Sequence, residues 1–306
     1  MLGPCVLEAP GFSHGESSQV CRLNHFTHAA QSLGIAQPAV SQAIGRLEQE
    51  MGVLLFARRG KTIQLTEAGK AFLMRAQHIQ RELQLTRYDM LFAKGIISGQ
   101  LVIGATPTIA AHMLPKTLAE FLKRYPHIDI RLRESGAGTL TTLLTRGSID
   151  CCIMVQPENT DTLEVAPLFT EPLMPVAAAE SPIAQMGAAG PIPLKLARDI
   201  PFILYRSSYH LRSATLFGCR AAGFEPRIAL EGGEMETVLR MVAADLGVSL
   251  APRLAFEGAS RLGVAAVTIY EPELSRTMAF CRRKGHPETA AMQAFFQVAQ
   301  ELAIKF

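Results

Sequence analysis

Apolar and alanine positions between Phe26 and Leu47 recur at helical spacing, stop at Gly34 and resume after Pro38. This predicts two short helices meeting at a tight turn, with Gly34 past the end of the first and Pro38 in the first turn of the second. Val53-Leu-Leu-Phe56 and Thr62-Ile-Gln-Leu65 flank the basic turn Ala57-Arg-Arg-Gly-Lys61, which reads as a hairpin. Thr66 is placed to cap the next helix, and Glu67 complements its N-terminal dipole. Along that helix Phe72, Ala76, Ile79, Leu83, Thr86 and Met90 alternate spacings of four and three, a heptad seam that calls for a partner helix. Its length, about 40 Å at ~1.5 Å per residue, suits a rod that ends near Gly95 to Gly99. From Gln100 the pattern becomes short β runs alternating with helical stretches. Strands are expected at Leu101–Ala105, Ile128–Arg133 and Cys151–Val155, with helices at His112–Arg124 and Thr139–Arg146. A second unit follows, with strands at Phe202–Tyr205, Arg227–Leu230 and Val248–Ala251 and helices at Arg212–Ala222 and Met235–Asp245. That alternation predicts parallel sheets flanked by helices in two α/β lobes, with a ligand cleft between them.

Charge adds to this division. The net charge is +3, and residues 1 to 100 hold 10 Lys+Arg against 7 Asp+Glu while the rest hold 20 against 20. A basic front and a neutral rear suit a DNA-binding module joined to a ligand-binding body. Cysteines 5, 21, 151, 152, 219 and 281 show no CxxC spacing, which fits a reduced, cytoplasmic protein. No secretory signal is read at the N-terminus, and no stretch has the ~18 uninterrupted apolar residues of a spanning helix, so no membrane partner is expected. No repeat or low-complexity tract interrupts the chain.

The segment from Phe26 to Phe56, which contains Ala29-Ala-Gln-Ser-Leu-Gly-Ile-Ala-Gln-Pro-Ala-Val-Ser-Gln-Ala-Ile-Gly-Arg-Leu-Glu48, resembles the helix-turn-helix signature of LysR-type transcriptional regulators. The resemblance continues through the hairpin to Leu65-Thr-Glu-Ala-Gly69, where that family begins its linker helix. More loosely, it covers Gly99-Gln-Leu-Val-Ile-Gly104, Leu114-Pro115 and Glu231-Gly-Gly-Glu-Met-Glu-Thr-Val-Leu-Arg-Met-Val-Ala-Ala-Asp-Leu-Gly-Val-Ser-Leu-Ala-Pro252. The implied architecture is α/β overall. It has an N-terminal winged helix-turn-helix (1–65, with 1–25 atypical), a long linker and dimerisation helix (66–95) and a two-lobed, periplasmic-binding-protein-like effector domain (100–306). Lobe I is expected at about 100–170 and 268–306, and lobe II at about 171–267.

Helical phase assigns roles within the head. Ala29, Ala30 and Leu33 face inward on the first helix, and Val40, Ile44 and Leu47 form the buried stripe of the second. Gln37, Pro38, Ala39, Ser41, Gln42 and Arg46 are left for the major groove, where Gln pairs with adenine and Arg with guanine. Thr27, His28, Arg58, Arg59 and Lys61 are placed for phosphates. Phe72, Ala76, Ile79, Leu83 and Met90 would form the dimer seam. By resemblance, the effector cleft would be lined by Thr106, Thr108, Ser135, Gly136, Ala137, Tyr205, Arg206, Ser207, Ser208, Gly233, Glu234 and Met235. Hydroxyls and amides near helix starts suit an anion, and Arg206 would add a charge-assisted contact. The implied partners are double-stranded DNA with a pseudo-palindromic operator, a small-molecule effector, a second copy of the chain in a dimer that can pair into a tetramer, and RNA polymerase.

Competing readings are weaker. Gly11-Phe-Ser-His-Gly15 has the form of a nucleophile elbow but follows Pro10 rather than a buried strand. Gly60-Lys-Thr62 ends like a phosphate-binding loop, yet Leu55 stands where the first glycine belongs. Cys21, His25 and His28 lack a fourth metal ligand at a familiar spacing. No enzyme activity, metal or cofactor is therefore expected. Residues 1–25, rich in Gly and Pro, lack the amphipathic helix with which the family begins. This leaves an alternative in which the chain binds a small molecule but its DNA-binding head is impaired. Cysteine-based redox sensing, with Cys219 and Cys281 as candidates once Cys151 and Cys152 are assigned to the core, is a further alternative.

Overall fold

The computed structural model describes residues 36–59, 62–76, 79, 83, 99–207, 209–256 and 263–304. The chain divides into two compact units, Met1–Ala93 and Lys94–Phe306, each described on its own terms. Residues 1–35, on which the first helix, Thr27, His28 and the atypical N-terminal segment fall, lie outside the described residues, as do Lys61, Thr86, Met90 and Ser208.

In the first unit α1 (Gln37–Met51) begins with Pro38 in its first turn and Ala36 at its N-cap, without a side-chain cap. Val40 and Ile44 are buried, whereas Leu47 is only half-buried, so the expected three-residue stripe is two residues deep. Strands β1 (Phe56–Arg59) and β2 (Thr62–Leu65) pair antiparallel, with Phe56 opposite Leu65 and Arg59 opposite Thr62. The expected first strand is thus displaced. Val53 and Leu54 are exposed and precede the strand, while Ala57 to Arg59, read as turn, belong to it. The register explains the shift, because the pairing leaves only positions 60 and 61 to connect the strands.

Helix α2 covers 67–76, and positions 79 and 83 are helical as well. Thr66 caps it as expected, its Oγ1 accepting from the Gly69 amide at 2.9 Å while donating to the Leu54 carbonyl at 2.7 Å. The Glu48 carboxylate on α1 accepts from the amides of Leu55 and Phe56 at 2.7 and 3.0 Å, fastening the hairpin to the helix. Gly69 is required by packing. A Cβ there would lie 2.0 Å from the Leu55 carbonyl oxygen and 2.9 Å from Leu65 Cδ2.

The second unit opens with β3 (Gly99–Ala105), α3 (Pro107–His112), α4 (Leu114–Arg124), β4 (Ile128–Glu134), α5 (Ala137–Thr145) and β5 (Cys151–Val155). The single helix expected at His112–Arg124 is two, because Met113 separates α3 from α4 and Pro115 starts the second. A long strand, β6 (Leu163–Ala178), then leads through α6 (Pro182–Ala189) and β7 (Ile192–Pro193) to β8 (Phe202–Leu204) and α7 (His210–Ala221). The chain continues through β9 (Ile228–Glu231), α8 (Met235–Ala243), β10 (Ser249–Pro252), β11 (Val264–Ala266) and β12 (Ile269–Glu271). It returns through β13 (Ser275–Arg283) and ends in α9 (Ala290–Ala303).

The main sheet has seven strands, ordered β10-β6-β13-β5-β3-β4 with β11 also on β6, and it is mixed rather than all-parallel. β3 pairs in parallel with β4 and β5, but β13 runs antiparallel to both β5 and β6. β6 belongs to two cores. Up to Pro172 it pairs with β13, and from Leu173 it pairs with β10 and β11. One apolar cluster gathers residues between Leu173 and Leu274, including Phe202, Tyr205, Val238 and Leu250; a second gathers around Leu101, Ile103, Phe121, Ile153, Phe280 and Phe295, and a third around Val102, Leu140, Leu144 and Cys152.

At the changeover the side chains of Glu171 and Arg276, directly opposite in register, form an ion pair only 1% and 3% exposed. Arg276 Nε and Nη2 donate to Glu171 Oε1 at 2.9 and 2.7 Å, and the Leu254 amide donates to Oε2 at 2.8 Å. Both charges are thereby hydrogen-bonded where three segments meet, which is the condition under which a buried pair is tolerated.

Candidate functional site

Parallel strands carry their loops to one edge, and register fixes which loops meet. Ala105 lies opposite Glu134, and the Ser135 amide donates to the Ala105 carbonyl at 3.1 Å, so the loops of Thr106 and of Ser135 to Ala137 are neighbours. In the other core β8 and β9 run parallel, and the Gly232 amide donates to the Leu204 carbonyl at 3.0 Å. Residues 205–207 and 209 are therefore neighbours of residues 232–235. Although part of its surface is open to water, His210 is pushed below the usual histidine range by desolvation first and by Arg276 second, with Glu158 opposing.

Thr106 Oγ1 is buried and has no hydrogen-bond partner. Ser135, Gly136 and Ala137, on the neighbouring loop, are half-buried, and Gly136 opens α5 without a side-chain cap. Three expected lining residues lie deeper than a cleft wall. Thr108 is buried in α3, and Tyr205 and Met235 are buried beneath the other two loops, with the Tyr205 hydroxyl donating to Met235 Sδ at 3.1 Å. Burial raises the Tyr205 phenol well above its ordinary value.

Arg206, expected to stand ready for an anion, is already engaged. Its Nη2 lies 2.5 Å from Glu234 Oε1, and its guanidinium sits 5.0 Å from the centre of the Tyr209 ring. The Tyr209 hydroxyl donates to Glu234 Oε2, and a second ion pair joins Arg212 to Glu231. Ser207 is exposed, and Gly233 is half-buried beside Glu234. Tyr209, His210, Glu158 and Arg276 belong to this region without having been singled out from sequence. Only the Tyr209-His210 pair adjoining Arg206 carried a usable signal, as polar residues just before a predicted helix.

In the first unit Gln37, Pro38, Ala39, Gln42 and Arg46 are exposed on α1, and Ser41 is half-buried. Arg58 and Arg59 lie on β1. Phe72 and Ala76 are half-buried, whereas Ile79 and Leu83 are 37% and 52% exposed. No helix among the described residues is long and apolar enough to cross a membrane, and no cluster of three or more His, Cys, Asp or Glu able to hold a metal occurs among them.

Comparison with known proteins accords with both units. Residues 18–70 match the bacterial regulatory helix-turn-helix protein family, lysR type, and residues 94–303 match the LysR substrate binding domain. The chain is 31% identical to the uncharacterized HTH-type transcriptional regulator YcgK of Bacillus subtilis over 93% of this chain and 92% of that one. It is 30% identical to a hydrogen peroxide-inducible genes activator of Haemophilus influenzae, over 86% of this chain and 87% of the other. Among solved structures, an OxyR C206 mutant from Corynebacterium glutamicum superposes with a TM-score of 0.63 at 26% identity, covering 95% of this chain and 90% of that one. The chain belongs to the LysR family of DNA-binding transcriptional regulators, with a helix-turn-helix joined to an effector-binding domain.

Proposed function

We propose that the chain binds a pseudo-palindromic operator in the cytoplasm as a homodimer able to pair into a tetramer, under the control of a small anionic effector bound between the two lobes. Thr106 carries the effector reading. A buried hydroxyl oxygen without a partner costs about 1–3 kcal/mol unless something fills its hydrogen-bonding capacity, and a ligand oxygen would. Several helix starts on the loops read as lining the cleft are also open to negative charge. The N-caps of α3, α5, α7 and α8, at Thr106, Gly136, Tyr209 and Glu234, make no side-chain cap. α1 and α4 are uncapped as well, whereas α6 and α9 are capped by Ser181 and Thr289. Uncapped N-terminal amides near one another favour negative charge. Thermal-shift screening of the full chain against small carboxylates and phosphates should find a stabilising anion whose effect is lost in Thr106→Val. Stabilisation only by neutral or cationic compounds would contradict the reading.

In the head, exposed Gln37, Ala39, Gln42 and Arg46 are assigned to bases, and the wing cations Arg58, Arg59 and Lys61, with Thr27 and His28, to phosphates. Arg46→Ala should relax discrimination at one base position by about 1–3 kcal/mol. Lys61→Ala should weaken binding to all sequences alike and reduce the salt slope by about one, as measured by anisotropy titration in salt. The exposure of Ile79 and Leu83 in a single chain supports the seam with Phe72, Ala76 and Met90 as the dimer contact. RNA polymerase is the onward partner that the family reading implies.

Some relatives are named for response to hydrogen peroxide, but the described thiols do not favour that chemistry here. Cys151, Cys152, Cys219 and Cys281 are all buried. Burial, with Glu225 adding, pushes the Cys219 thiol up to about 12, and contact with Cys281 together with burial raises Cys152 well above the thiol range. Thiols held protonated are poor nucleophiles toward peroxide. The C219S/C281S double variant should accordingly retain the wild-type DNA binding before and after peroxide treatment.

A further inference from the structure

The contacts made by Glu234 show what chemistry the Arg206–Tyr209 pair accepts. One carboxylate oxygen is held by the Arg206 guanidinium at 2.5 Å, and the other accepts from the Tyr209 hydroxyl. Both donors are themselves placed by the fold. Tyr209 is 8% exposed, its ring lies nearly parallel to that of Tyr205 at 6.0 Å, and the Arg206 guanidinium lies over it. A cation and a phenol that together grip both oxygens of one carboxylate form a carboxylate site, and in this structure the occupant is the chain's own side chain.

Glu234 is also built to leave. It sits at the N-cap of α8 but makes no cap to that helix, so its contacts reach across to the other loop. Gly232 and Gly233 precede it with φ of 104° and 109°, a backbone region that glycine enters without strain, so the segment carrying the carboxylate can turn at modest cost. Its side chain is 49% exposed and that of Arg206 51%, so a displaced Glu234 would be hydrated rather than stranded. The neighbouring Arg212–Glu231 pair would hold the rest of the loop in place.

We propose that Glu234 is a resident counter-ion that occupies the effector's carboxylate position when the cleft is empty, so that the effector is a carboxylate and must displace it from Arg206 and Tyr209. This rests on the reading of the cleft as an anion site and adds the ligand class and the competitor. Because the competing carboxylate is intramolecular, its effective concentration is on the order of millimolar, and weak carboxylates bind the wild-type protein poorly.

The test uses acetate as the probe and acetamide as its neutral counterpart, at constant ionic strength with chloride, reading the melting temperature of the full-length chain. Wild type, Glu234→Gln, Arg206→Gln and the double variant are compared, with melting in chloride alone verifying that each is folded. Glu234→Gln should respond to acetate at a concentration roughly twofold to fivefold below that needed by wild type, since a partly exposed pair of this kind is worth up to about the larger factor. Arg206→Gln and the double variant should show no such gain, and acetamide should have no effect on any of them. An equal acetate response in wild type and Glu234→Gln, abolished by Thr106→Val, would overturn the counter-ion while leaving the cleft an anion site. A gain that persists in the double variant would also overturn it. No acetate response in any variant would overturn both readings.

Discussion

Glu171→Ala is expected to destabilise the effector domain by about 3–5 kcal/mol, because it strands the Arg276 guanidinium, 3% exposed, without its counter-charge. The alanine also removes the acceptor for the Leu254 amide. The damage is concentrated where β6 passes from one core to the other, so the two lobes should lose their fixed relation as well as their stability. Urea unfolding of the purified chain should show a lower midpoint, and adding Arg276→Met to the same variant should recover much of the loss by removing the orphaned charge. A Glu171→Ala chain as stable as wild type would mean that the pair does not hold the crossing strands.

Gly69→Ala should have its large effect in the other unit. The new Cβ would stand 2.0 Å from a backbone oxygen, that of Leu55, which also accepts from the Thr66 amide at 3.0 Å. A side chain could swing aside, but this carbonyl is held in the segment that Glu48 and Thr66 both grip. Overpacking costs about 1–3 kcal/mol, and more where the clash is with a held backbone atom, a large share of the stability of a small module. DNA binding should fall below detection while acetate or effector response in the second unit is unchanged. Retained operator affinity would contradict the packing described for the start of α2.

Much of the architecture was legible because local patterns agreed with the final packing. The Pro38 helix start, the Thr66 cap and the strands at Leu101, Ile128 and Cys151 needed only periodicity and capping chemistry. The 16-residue strand β6 was not, because Pro167, Pro172 and Pro175 break the strand signal and Glu171 reads as a solvent-facing charge. A shift in register between Met278 and Ala279, opposite the segment that contains Pro167, accommodates the proline within the strand. With β6 and β13 unseen, an all-parallel sheet was the natural expectation, and the antiparallel return of β13 is its correction.

The site shows the same division. Hydroxyls and glycines at predicted helix starts marked the loops of Thr106, Ser135 and Gly233, since those cues are local. Pairings at long separation carry no such mark. Arg206 was read as a charge-assisted contact for an anion, and nothing along the chain reveals that Glu234 reaches it or that Arg276, on a strand that returns from far along the sequence, acts on His210.

The most direct test of the account is fluorescence-anisotropy binding of the purified full-length chain to the intergenic DNA upstream of its own gene, titrated in salt against unrelated DNA. The account predicts tight, specific binding that weakens steeply with salt and shifts when a cleft-binding carboxylate is added. Equal affinity for both DNAs, or no binding by a folded dimer that still takes up the carboxylate, would contradict it and leave a ligand-binding protein whose head does not engage an operator.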